Sequence, residues 1–213
     1  MQTDSSTSKK AQAVQIGAWA LAAGVVLAAG LAWGEVRLNG GALSAYDVFP
    51  LFGLLAFSLM WTHYVSGAVR RLMDLDTKVL SGFFRVTSAA VLVLLLLHPT
   101  IFLTQLWADG FGLPPFSYLQ VYEGGAERLA LLLGTLSLLA FLLFEFHRKF
   151  KNASWWKYIE YANLAAMAAI FYHALTLGGE LDLMWYKMVW FTYGILLVMA
   201  VVTNKIITKR RKT

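Results

Sequence analysis

Charged residues are missing from six long stretches of this chain, and this absence constrains the fold more than any other feature. Each stretch is mostly apolar, contains Leu and Ala, and has no Asp, Glu, Lys or Arg. The stretches are 11–34, 48–69, 86–107, 129–144, 161–179 and 188–204. About 20 mostly apolar residues are enough for a helix to cross the hydrocarbon core of a bilayer. The sequence therefore predicts an all-α polytopic membrane protein, a bundle of six transmembrane helices.

The composition supports the same class of protein. Of the 213 residues, 59% are hydrophobic and 14% are charged, whereas about a quarter of the residues of a soluble domain are charged. The apolar runs lack the alternation of membrane barrel strands. The chain has no cysteine, which excludes disulfides, thiolate metal sites and covalent attachment of a c-type haem.

Most cations of the loops lie on one side of the predicted bundle, and the opposite side has few. The cations on the first side are Lys9, Lys10, Arg70, Arg71, Lys78, Arg148, Lys149, Lys151 and Lys157, followed by the basic run at 205–212. The positive-inside rule places this side, with both termini, in the cytoplasm of a multi-pass plasma- or inner-membrane protein. The net charge of +6 then reflects topology and a lipid partner, so no nucleic-acid binding is expected.

Domain organisation follows from the same pattern. Residues 1–10 are predicted to be a polar cytoplasmic tail, 11–205 the six-helix transmembrane domain and 206–213 a basic cytoplasmic tail. No internal repeat is visible. The longest connection, at about 108–127, is rich in Gly and Pro and is predicted to be an ordered outer loop or a short lid.

Two of the four histidines are predicted to lie at one depth in the bundle. His98 is nine residues before Trp107, and His173 is seven residues before Glu180, on spans that both run outward. With a rise of 1.5 Å per residue, their depths differ by about 3 Å. Two neutral imidazoles in an apolar bundle can serve as the axial ligands of haem iron. The alternative for either histidine is a neutral, hydrogen-bonded packing role.

The segments around these histidines resemble a known family. The third-span segment LLLLHPTIF and the fifth-span segment WWKYIEYANLAAMAAIFYHAL look like the ferric reductase-like transmembrane domain, over roughly residues 45–205. The resemblance implies a b-type haem between the third and fifth helices. It also implies that His98 and His173 are the cofactor- and metal-binding residues.

The chain departs from the family at the position of a second haem. Many members carry another histidine thirteen or fourteen residues earlier on each of these helices, where this chain has Arg85 and Glu160. One haem b is therefore expected, and a second is left open. His63 on the second span is a third cofactor-binding candidate, as an unusual ligand, a quinone contact or a packing residue.

The resemblance implies a transmembrane electron-transfer subunit. Its donor would be a cytoplasmic flavoprotein, such as a soluble flavin reductase, or membrane quinol, and its acceptor a protein or metal on the outer face. No GxxxxGK, GxGxxG, HExxH or GxSxG motif is present, so no catalytic side chain and no flavin or NAD(P)H module are expected. The alternative is a haem-free six-helix membrane scaffold or small-solute transport protein.

Overall fold

A computed structural model describes residues 5–38, 42–145 and 155–210. Over these residues the chain is helical and has no strand. Seven α-helices follow one another in these ranges: α1 (Ser5–Arg37), α2 (Ala45–Leu72), α3 (Ser81–Ala108), α4 (Phe116–Val121), α5 (Gly125–Glu145), α6 (Trp156–Leu177) and α7 (Met184–Arg210). Short 3₁₀ turns at Thr77–Leu80 and Gly179–Asp182 precede α3 and α7. The all-helical prediction is confirmed.

The apolar runs predicted from the sequence coincide with the long helices. Within the described residues, five helical segments are long and apolar enough to cross a membrane. They are Thr7–Arg37, Ala45–Leu72, Thr77–Ala108, Gly125–Leu143 and Met184–Ile207. The fifth predicted span corresponds to a shorter apolar segment of α6, Tyr161–Leu177. The chain is thus a multi-pass membrane protein by the length and composition of its helices, and the sixth crossing stays a prediction.

The chain divides into two compact units. The first unit comprises Met1–His98 and Leu183–Thr213, and the second comprises Pro99–Asp182. In the first unit, α1 presents small buried side chains at helical spacing, among them Ala18, Ala22, Ala29 and Ala32. Small side chains let two helix backbones approach closely, which is the usual packing device in lipid.

An aromatic seam joins α2 to α7 within the first unit. Phe57 stacks on Trp190 with ring centroids 4.6 Å apart, and Trp61 stacks on Tyr193 at 4.4 Å. Trp61 also donates its indole N–H to the Tyr193 carbonyl oxygen at 2.8 Å. These rings provide both the packing surface and a hydrogen bond between the two helices.

The start of α2 is fixed by a capping interaction. The backbone N–H and the hydroxyl of Ser44 both bond to Asp47 Oδ2, at 2.9 and 2.6 Å. Arg37, at the end of α1, lies 3.4 Å from Asp47 Oδ1. An acidic residue in the first turn of a helix satisfies backbone donors and complements the helix dipole, so α2 begins at a defined residue.

The second unit is centred on α5 and α6. Their facing surfaces carry small residues, including Ala130, Ser137 and Ala166. The Ser137 hydroxyl donates to the Ala166 carbonyl oxygen at 3.2 Å. A hydroxyl that bonds to a neighbouring helix is satisfied inside lipid and holds the register of the pair.

Candidate functional site

His98 is held against α2 by a backbone hydrogen bond. Its Nδ1 lies 2.8 Å from the carbonyl oxygen of Phe49. The imidazole lies over Gly53, where a Cβ would lie only 2.9 Å from both Nδ1 and Cε1. The ring of Phe49 is also close, with its centroid 5.3 Å from that of His98. The position of this imidazole therefore depends on the absence of a side chain at Gly53.

His173 is held in the same way in the second unit. Its Nδ1 lies 2.9 Å from the carbonyl oxygen of Ala130 on α5. A Cβ on Gly134 would lie 2.5 Å from Nδ1 and 2.7 Å from Cε1 of this ring. The acceptor carbonyl thus comes four residues before the glycine, as it does on α2.

These bonds define the tautomer of both imidazoles. A carbonyl oxygen can only accept a hydrogen bond, so Nδ1 carries the proton in His98 and in His173. The lone pair of the neutral ring is then on Nε2. A metal-bound histidine usually has this arrangement, with one nitrogen donating to a carbonyl and the other bound to the metal. Each imidazole could therefore bind a metal through Nε2.

His63 has the opposite arrangement. Its Nε2 lies 2.6 Å from the hydroxyl oxygen of Thr87, and that hydroxyl donates to the carbonyl oxygen of Phe83 at 2.7 Å. Since a hydroxyl has one proton, His63 Nε2–H must be the donor in the first bond. The ring also makes edge contacts with Phe83 and Phe84, with centroids 5.9 and 5.2 Å apart. This geometry favours the packing role, and a cofactor-binding role of His63 stays a prediction.

The predicted site residues are distributed over both units. His98 and His63 belong to the first unit, and His173 belongs to the second. Joining the two imidazoles of α3 and α6 at one cofactor is therefore still a prediction. Arg85 and Glu160 occupy the positions of the family's second histidine pair, and the side chain of Glu160 lies outside the described residues.

The described side chains do not form a site for a bare metal ion. Within the described ranges, no three His, Asp or Glu side chains are grouped in a way that could hold one. A haem makes a smaller demand on the protein, because its macrocycle occupies the equatorial positions of the iron and two axial donors complete the coordination. His98 and His173 are of the right chemical type for that purpose.

Four residues that position the imidazoles of His98 and His173 were not predicted from the sequence: Phe49, Gly53, Ala130 and Gly134. Two of them act through a backbone carbonyl, which every residue carries. The glycines leave a weak signal, since each interrupts an apolar run that otherwise favours larger side chains. That signal does not identify the ring that lies over them.

Comparisons of the chain with protein-family models, curated proteins and solved structures gave no match. The family resemblance therefore rests on the segments around His98 and His173. Evidence for a function has to come from the chemistry of the chain's own residues.

Proposed function

We propose that this protein is a membrane electron-transfer subunit that holds one b-type haem between α3 and α6. The observation that carries the proposal is the shared tautomer of His98 and His173, each with Nδ1 bonded to a helix carbonyl. Both residues would then hold the haem iron through Nε2. The bound haem would supply the one-electron chemistry.

The residues around each imidazole contribute to ligation in two ways. The carbonyl oxygens of Phe49 and Ala130 fix the ring orientation and make each imidazole a better electron donor. Gly53 and Gly134 let each ring approach the neighbouring helix closely. A ligand that is already oriented loses little conformational freedom when it binds, which strengthens binding.

The proposal includes a topology and two partners. The chain crosses the bilayer six times, with both termini in the cytoplasm, as the distribution of Lys and Arg indicates. Electrons enter from a cytoplasmic flavoprotein or from membrane quinol and leave to an acceptor protein or metal on the outer face. The chain itself is the oxidoreductase component that carries the electron across the outer part of this path.

One observation favours the haem-free alternative of a membrane scaffold or small-solute transport protein. A second, inner haem would provide a continuous path across a core of about 30 Å, yet His63 uses its Nε2 in the bond to Thr87. An electron-transfer role with a single haem therefore requires either a further carrier between a cytoplasmic flavoprotein and the haem, or a donor that itself reaches into the bilayer. Membrane quinol meets that requirement.

The absorption spectrum of detergent-purified protein supplemented with haem tests the proposal. We expect a Soret band and a sharp α-band on reduction, both typical of six-coordinate low-spin iron. His98→Ala and His173→Ala should each abolish the low-spin spectrum, and His63→Ala serves as the matched control that retains it. The proposal fails if no Soret band appears, or if His98→Ala and His173→Ala both keep the wild-type spectrum.

A further inference from the structure

The connection between α3 and α5 carries an exposed apolar surface. Residues 110–122 contain no charged side chain. Within this segment Leu113, Phe116 and Leu119 are 64%, 71% and 51% exposed. Trp107, at the end of α3, is also exposed and extends the same apolar character. These four side chains are defined here as the α4 apolar face.

The opposite side of α4 is fixed to its own unit. Ser117 is fully buried, and Tyr118 stacks on Phe102 with centroids 6.2 Å apart. Arg128 on α5 donates to the carbonyl oxygens of Leu119 and Tyr122, at 3.2 and 2.8 Å. Phe116 and Leu119 of the α4 apolar face are therefore presented outward by a helix whose other face is anchored by packing and hydrogen bonds. Leu113 precedes this helix in the same connection, and Trp107 lies at the end of α3.

The surface next to this face is the lipid-facing surface of two apolar helices. α3 ends at Ala108 and α5 begins at Gly125, so both ends of the connection leave membrane helices. The first turns of α5 expose Leu129 and Leu132. Exposed apolar side chains on such helices are solvated by lipid. The α4 apolar face lies in the connection between the ends of these two helices.

We propose that α4 docks into the interfacial zone of the bilayer, with the α4 apolar face at the boundary between headgroups and acyl chains. Short amphipathic segments bury their apolar side about 5–10 Å into this zone, and aromatic side chains are enriched there. A stable interface with a protein partner would bury about 800 Å² of this chain's surface, whereas the four side chains of the α4 apolar face offer far less. The docking does not depend on haem.

The absence of native cysteine makes a direct test possible. A single Phe116→Cys variant, labelled with the environment-sensitive dye NBD, is reconstituted into phosphatidylcholine nanodiscs. We expect blue-shifted emission that is quenched by lipids with a nitroxide near the headgroup and not by aqueous iodide. Glu123→Cys, which is exposed beyond the end of α4, is the matched control with water-like emission and strong iodide quenching.

The label in Phe116→Cys replaces a side chain of the α4 apolar face, so a second labelled variant that keeps Phe116 is needed. Leu119→Cys keeps Phe116 and should give the same blue shift. Iodide quenching of both the 116 and 119 labels, to the level of the 123 label, would overturn the proposal. The α4 apolar face would then contact water or a protein partner. A shift confined to anionic bilayers would also overturn it, because residues 110–122 carry no cation and their docking should not depend on lipid charge.

Discussion

At the scale of single residues, each candidate ligand is positioned by a carbonyl and a glycine on the neighbouring helix. The carbonyl oxygens of Phe49 and Ala130 receive the Nδ1 protons, and Gly53 and Gly134 make room for the rings. Residues four apart lie on the same face of a helix. A ring that lies over the glycine therefore brings its Nδ1 to the carbonyl one turn earlier.

A methyl group at either glycine should displace the imidazole. In Gly134→Ala the new Cβ would lie 2.5 Å from His173 Nδ1, and in Gly53→Ala it would lie 2.9 Å from His98 Nδ1. Such an overlap costs about 1–3 kcal/mol, which exceeds the gain in helix propensity of about 1 kcal/mol. We expect the low-spin fraction of the haem-loaded protein to fall, more for Gly134→Ala, as measured by absorption and electron paramagnetic resonance. Gly67→Ala on α2, where a Cβ meets nothing within 4 Å, should leave the spectrum unchanged; equal spectra for all three variants would contradict the positioning role.

His63 and Thr87 should act as one hydrogen-bonded pair without contributing to haem content. His63→Ala and Thr87→Val each remove the bond between Nε2–H and the hydroxyl. Hydrogen bonds between membrane helices contribute about 0.6 kcal/mol on average and at most about 1.7. We expect a coupling free energy of this size in a double-mutant cycle of unfolding, with one haem per chain in every variant. Loss of a haem equivalent from His63→Ala alone would assign His63 to a second haem.

At the scale of the helices, hydropathy predicts where each helix lies but not which surfaces meet. The third apolar run, 86–107, lies within α3 (Ser81–Ala108). A long run without charged residues is therefore enough to locate a membrane helix. The short helix α4 follows from no such pattern. This helix is held by a hydrogen bond from Arg128 and by the ring stacking of Tyr118. These contacts form only in the folded chain.

The candidate site shows the same limit. His98 and His173 can be found from the sequence, because an ionisable residue within an apolar run is rare and costly. Their acceptor carbonyls cannot, because a backbone oxygen has no signature in the sequence. Gly53 and Gly134 remain ambiguous, since glycine is frequent in membrane helices for packing alone.

The aromatic seam between α2 and α7 should be a main source of stability in the first unit. Trp61 is 2% exposed and donates to the Tyr193 carbonyl. Trp61→Phe removes this hydrogen bond and part of the packed ring, at an expected cost of about 1–3 kcal/mol. Thermal unfolding in detergent, followed by near-ultraviolet circular dichroism, should show a lower midpoint. Trp107→Phe, at a side chain that is 63% exposed, should leave the midpoint unchanged; a similar drop for both variants would mean that the seam is not a special source of stability.

At the scale of the whole molecule, the number of crossings decides which ends of the helices share a side. Among the described residues, five segments are long enough to span a bilayer without adjustment. The apolar part of α6, 161–177, is at the lower end of the range of about 17–25 residues that a crossing requires. A short span can still cross if the bilayer thins locally or the flanking residues extend towards the interface. The distribution of Lys and Arg favours that crossing.

Single-cysteine labelling should decide between five and six crossings, since the chain has no cysteine to remove. With six crossings, a membrane-impermeant maleimide labels Ser8→Cys, Thr77→Cys and Thr213→Cys from one side. It labels Glu123→Cys and Asp182→Cys from the other, because α5 and α6 both cross between those two positions. If α6 does not cross, Asp182→Cys changes sides and is labelled together with Thr77→Cys, and α7 then carries the C-terminus across to the side opposite Ser8. The haem proposal needs His173 inside the bilayer on α6, so labelling of Asp182→Cys from the side of Thr77→Cys would remove its second ligand as well as the sixth span.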